Sequence, residues 1–144
     1  MKRAWAILIA LTFTLGGQVK MKPDLEKLQG VWTIVSLEMD GKAVPASAIG
    51  KARITIEGDR FVSSGMGATY EGKVEIDESA TPRTFDVKFD AGPEKGNTSY
   101  AIYELDGDTW RLCLTTRGST RPKKFATEPG TGVALEILKR EGVR

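Results

Sequence analysis

From Gly30 onward, apolar and polar residues alternate along the chain with a period of two. Across 69–77, Tyr70, Gly72, Val74 and Ile76 share one face, with Thr69, Glu71, Lys73, Glu75 and Asp77 on the other. The stretch 84–90 repeats this with Phe85, Val87 and Phe89. Ile54 and Ile56, then Trp110, Leu112 and Leu114, then Val133, Leu135 and Ile137 extend it. Successive side chains of a strand point to opposite faces, so one wet and one dry face predict antiparallel sheet; buried parallel strands read as continuous apolar runs. Eight strands are predicted, near 31–39, 51–57, 60–65, 68–77, 84–90, 98–105, 109–116 and 132–139. Asp40-Gly41, Gly58-Asp59, Gly65-Met66-Gly67 and Asp106-Gly107-Asp108 fall between them and suit tight hairpins, which need positive φ angles. Helix is confined to short turns at 23–29, where Pro23 suits a first helical position, and at 45–49. The longest connection, 117–131, holds Gly118, Pro122, Pro129 and Gly130 and is expected to form a structured excursion.

Eight antiparallel strands with one apolar face can close on themselves, which removes both sheet edges. An all-β, eight-stranded barrel is therefore expected, with a two-sheet β-sandwich as the alternative the same periodicity allows. A barrel of this size is filled by side chains or holds one small ligand. The expected inward set is Trp32, Ile34, Ile54, Ile56, Phe61, Tyr70, Val74, Ile76, Phe85, Val87, Phe89, Tyr100, Ile102, Trp110, Leu112, Leu114, Val133, Leu135 and Ile137, thinned only by Ser36 and Gly72. Trp32, Phe61, Tyr70, Phe85, Tyr100 and Trp110 are its candidate ligand-binding members. Glu38 shares parity with Trp32 and Ile34; it either points inward and needs a partner or a raised pKa, or sits at the rim.

The first seventeen residues break the pattern. Lys2 and Arg3 precede an apolar run over 4–15, and Gly16 and Gly17 follow. A basic start, a short apolar run and small residues predict a secretory signal peptide over 1–17, too short to span a bilayer. A retained apolar tail, or Met21 as the true start, are the alternatives. The expectation is an exported protein, periplasmic or extracellular, with no stable membrane anchor after processing. Residues 18–29 then form an N-terminal segment with a short helix, and 30–141 a single barrel domain.

Removing 1–17 also leaves 19 basic against 19 acidic side chains. That balance gives no long-range pull toward nucleic acid. The basic stretch 117–124 lacks the interleaved aromatics that stack bases, and is expected to be solvated. The chain has no histidine, which excludes Ser-His-Asp and Cys-His systems and H-E-x-x-H zinc sites. Its single cysteine, Cys113, forms no intramolecular disulfide and reads as a small mid-strand filler. No metal site, cofactor or catalytic set is expected.

One short stretch, LQGVW at 28–32, links the helical turn to the first strand. Gly30 is expected to allow a close backbone approach there, and Trp32 to be the first inward side chain, closing the barrel floor. A G-x-W at the first strand is the signature of lipocalin-like barrels. More closely, the chain resembles an uncharacterised lipocalin-like domain family common in planctomycete bacteria. The residues that carry the likeness are Leu28-Gln29-Gly30 with Trp32, Asp40-Gly41-Lys42 with Pro45, the run 103–109 (YELDGDT), Leu112-Cys113, Arg121-Pro122 with Phe125, and Gly130 with Gly132. The likeness spans about 25–141 and carries no established activity. It implies an eight-stranded barrel in which a basic residue of the last strand, Lys139 or Arg140, packs over the Trp32 ring. It also favours a binding module for a small apolar ligand over a filled barrel working by its surface; an enzyme is the weakest expectation.

Overall fold

The computed structural model describes residues 21–142; the expected signal peptide at 1–17 lies outside them. In chain order the elements are α1 (Pro23–Leu28), β1 (Gly30–Met39), β2 (Lys42–Ala43), α2 (Ala46–Ile49), β3 (Arg53–Glu57), β4 (Arg60–Ser64), β5 (Tyr70–Asp77), β6 (Arg83–Ala91), β7 (Thr98–Asp106), β8 (Thr109–Thr115) and β9 (Val133–Arg140). Every pairing is antiparallel. β1 joins both β3 and β9, so β1 and β3–β9 close into an eight-stranded barrel, with the two-residue β2 added on β1. Closure decides between barrel and sandwich in favour of the barrel.

One end of the barrel is plugged. Six helical residues have no stability of their own; α1 is held by Leu28, which is fully buried, and by Asp24. The Asp24 carboxylate accepts hydrogen bonds from Tyr103 Oη and from the Arg83 guanidinium, both at 2.8 Å. Burial, followed by that hydrogen bond to Asp24, raises the Tyr103 phenol well above its ordinary value. Trp32, also fully buried, donates from Nε1 to the Leu28 carbonyl at 2.9 Å. Arg140 is the basic residue over that ring, 4.3 Å from its centroid. Its guanidinium donates to the carbonyls of Gln29, at 2.8 Å, and Lys27, and to Asp108 at 3.0 Å. The Gln29 side chain in turn bonds both the N–H and the carbonyl of Gly58, at 2.7 and 2.8 Å. Gly30 has a φ of 117°, while a Cβ there would meet only Arg140 Nη1 at 3.7 Å. Its backbone angle, and not crowding, is what calls for glycine.

Two irregularities reset which residues face inward. A bulge in β1 between Ile34 and Ser36 shifts the register against β9. Val35 is left half exposed, Leu37 becomes the buried inward residue, and Glu38 turns outward. The Glu38 carboxylate there accepts a hydrogen bond from Thr127 Oγ1 at 2.5 Å. The second shift, between Glu71 and Gly72 on β5, brings the β6 backbone across Gly72. A Cβ on Gly72 would collide with the Lys88 carbonyl, so this glycine serves a close backbone approach and leaves no hole in the wall.

The connection 116–132 lies over the outer face of β7–β9 and is tied down along its length. Arg121 forms a two-pronged ion pair with Asp86 at 2.6 and 2.9 Å and donates to the Ala101 carbonyl at 2.8 Å. Thr115 Oγ1 donates to the Thr120 carbonyl at 2.6 Å, and the Arg111 guanidinium stacks on Phe125 at 4.1 Å. Arg121 thus departs from the solvated face expected of 117–124, whereas Lys123 and Lys124 are exposed.

This cover explains a misassigned parity. Ile102 and Cys113 are buried opposite one another, and Leu135 stands opposite Cys113. All three belong to the outer face beneath the excursion. On β7 the inward residues are Ser99, Ala101 and Tyr103, since Val87 pairs with Ser99, Phe85 with Ala101 and Leu112 with Tyr103. On β9 they are Ala134, Glu136 and Leu138, opposite Leu114, Leu112 and Trp110. The inward assignment of Tyr100, Ile102, Val133, Leu135 and Ile137 is therefore corrected: these strands bury apolar groups on both faces, and apolarity alone could not say which face is inner.

Candidate ligand-binding cavity

Above the plugged floor the barrel is open. A cavity of about 710 Å³ runs to the far end, walled by Leu37, Ile54, Phe61, Phe85, Val87, Leu112 and Leu114. Met39, Met66, Tyr70 and Phe89 widen it toward the mouth. An aromatic file links mouth to floor: Tyr70 to Phe89 (6.2 Å between centroids), Phe89 to Phe61 (6.2 Å), Phe61 to Phe85 (6.3 Å), Phe85 to Trp110 (5.3 Å) and Trp110 to Trp32 (5.6 Å). Their tilted and edge-on arrangement is the one the ring quadrupoles favour.

The six candidate residues divide by depth. Phe61, Tyr70 and Phe85 line the cavity. Trp32 and Trp110 are fully buried beneath it and form its floor without lining it. Tyr100 borders the mouth, but its ring lies beside the Arg121 guanidinium, 5.4 Å away, on the side of the outer excursion. Five of the six thus join one continuous aromatic file, and Tyr100 stands apart from it.

The cavity also holds a residue the periodicity did not single out. Glu136 lines it from the inward face of β9, with Leu112 of β8 and Leu37 of β1 as its cross-strand neighbours. The side chain is half-buried, and its Oε2 is sealed from solvent and has no hydrogen-bond partner among the described residues. Burial pushes its carboxyl group up from an ordinary 4.5 to about 7. In the sequence it stands between Leu135 and Ile137 and reads as the wet side of an alternating strand. The available signal was Leu138, whose parity it shares and which packs on the floor. Trp110 Nε1, one layer lower, also lacks a partner.

Cys113 is buried under the excursion, its Sγ 3.5 Å from the Lys124 carbonyl and 3.7 Å from that of Ala126. Burial raises the thiol above its ordinary value, which suppresses the nucleophilic thiolate. Among the described residues no three or more Asp, Glu, Cys or His side chains gather into a metal-holding group, and no helix is long and apolar enough to cross a membrane. Comparison of the chain with family models, with curated proteins and with solved structures finds no match.

Proposed function

We infer that the protein is an exported lipocalin-like carrier that holds one small, mostly apolar ligand in the barrel. The observation that carries this reading is the open cavity of about 710 Å³, within the usual ~300–1,000 Å³ of small-molecule sites. A barrel serving only as a scaffold has no reason to leave its upper half unfilled, since each void forfeits packing. A ligand burying about 450 Å² of apolar surface gains ~11 kcal/mol at ~25 cal/mol per Å². Lost ligand freedom costs about 4 kcal/mol or more. The remainder, about 7 kcal/mol, corresponds to a Kd of roughly 10 μM.

The test is the fluorescence enhancement of N-phenyl-1-naphthylamine, an apolar probe that is uncharged at neutral pH. Ala134, almost fully buried at the cavity wall and opposite Leu114, is the position at which to block the space. Saturable enhancement in the parent, lost in an Ala134→Phe variant that keeps a cooperative melt, is the expected result. A parent that shows no saturable enhancement, or a folded Ala134→Phe that binds equally well, overturns the carrier reading.

A further inference from the structure

We propose that Glu136 is a head-group anchor and that the cavity takes an apolar ligand carrying a protonated amine, bound with the amine inward against the carboxylate. The proposal rests on the carrier reading and gives its ligand a chemistry. Glu136 sits deep in the space, one step along β9 from Leu138 and one layer above Trp110, so a group that reaches it leaves the ligand's apolar body along Leu114, Val87, Phe61 and Phe89.

Among the described residues no charged group pairs with this carboxylate. From β8 the groups beside it are Leu112, Trp110 and Leu114, and Arg111 faces outward over Phe125. From β1 it meets Leu37, because the bulge turns Glu38 outward onto Thr127. Tyr103 of β7 is committed to Asp24. The remaining ionisable groups of the lining are Tyr70, Glu94, Tyr100 and Arg117 toward the mouth, with the Tyr100 ring beside the Arg121 guanidinium. Glu94 accepts from the Asn97 amide at 2.9 Å, and Arg117 donates to the Gly130 carbonyl at 2.8 Å.

A buried carboxylate with an unpaired oxygen is costly. Glu136 is half-buried, with Oε2 already sealed from water, so an ammonium entering from the cavity regains a charge-assisted hydrogen bond with part of the carboxylate's desolvation already met by folding. A neutral alcohol gains an ordinary hydrogen bond. A fatty acid would set two acids side by side, which disfavours ionisation of both. The expected order is amine, then alcohol, then carboxylate. Because burial holds the Glu136 carboxyl near 7, ionisation of the anchor strengthens amine binding as pH rises past neutrality, while a simple alkylamine stays protonated to about pH 10.

Titration calorimetry with octylamine, 1-octanol and octanoate on the parent and on Glu136→Gln tests this. A charge-assisted bond predicts octylamine roughly 10-fold or more tighter than 1-octanol at about pH 8.5, and a preference of about 2-fold or less at about pH 5.5. Glu136→Gln should erase the preference at both pH values and leave 1-octanol within about 2-fold of the parent. Glu136→Leu, which removes every hydrogen bond at the position, provides a second folded variant with the same expected loss. If 1-octanol binds but octylamine shows no preference, if octanoate binds as well as octylamine, or if the preference survives in a folded Glu136 variant, the anchor is wrong and the carrier stands. If none of the three ligands binds, both fall.

Discussion

The two ends of this barrel are built from the same strands and the same alternation, yet they reach opposite solutions. At the floor, Trp32, Trp110 and Leu28 are fully buried and α1 seals the opening. Most polar groups there have partners: Trp32 Nε1 on Leu28, Arg140 on Gln29 and Asp108, Tyr103 and Arg83 on Asp24. At the upper end the wall is as apolar, but the barrel is open, and Glu136 Oε2 has no hydrogen-bond partner among the described residues. Packing and polar satisfaction are therefore concentrated where the barrel is anchored and relaxed at its open mouth. This is the division between rigid scaffold and open region that the proposed carrier role requires of one small domain.

The contrast makes ordered predictions. Trp32→Ala removes one of the two floor tryptophans and the ring beneath Arg140, and should cost about 3–5 kcal/mol of stability. Phe89→Ala, at the already open mouth, should cost less than about 2 kcal/mol because little packing is lost with it. Urea unfolding of both variants checks the pair; equal losses would mean the floor is not the anchor.

The next effect belongs to Glu136. Its carboxyl is raised in the fold from 4.5 to about 7, so the uncharged form is favoured there. The stability tied to that form is fully present below about pH 4.5 and is lost as pH rises through about 7, by about 3 kcal/mol in all. Exposed acids such as Asp77 and Asp90, held low by hydrogen bonds from Ser79 and Arg60, act in the opposite sense. The informative quantity is consequently the difference between parent and Glu136→Gln. The variant should match the parent at about pH 4.5 and exceed it by up to about 3 kcal/mol at about pH 8. Midpoints that stay parallel across this range would show that Glu136 is not sequestered.

The smallest effect tests how the floor is held. Arg140→Lys keeps a cation over Trp32 but loses the fork that reaches the Gln29 and Lys27 carbonyls and Asp108. A loss of about 1–2 kcal/mol is expected in thermal unfolding. No change would assign the holding role to the cation–π contact alone.

The architecture was legible because the physics that sets it is local. All eight predicted strands are present, including the long alternation of β5 and β6, and β7–β8 turns at the expected Asp106-Gly107-Asp108. The basic residue of the last strand does cover Trp32. Four of the six candidate residues border the cavity, and Phe61, Tyr70 and Phe85 do so from inward positions because their strands have one wet face and one dry. Tyr100 was misplaced where that condition fails, since the 116–132 excursion makes the outer face of β7–β9 a second buried surface.

Residue order along each strand thus determined the elements, their antiparallel pairing and the glycine and tryptophan that start the barrel. A period of two is a property of the backbone, and it survives translation into sequence. Which face of β9 looks inward, whether Glu38 enters the core and whether the barrel is filled were decided by tertiary structure alone. A single bulge in β1 exchanged Glu38 for Leu37, and the loop laid over β8 and β9 made Leu135 an outer residue and left Glu136 in the cavity. Such choices depend on what packs against a strand from far along the chain, and no local pattern records that.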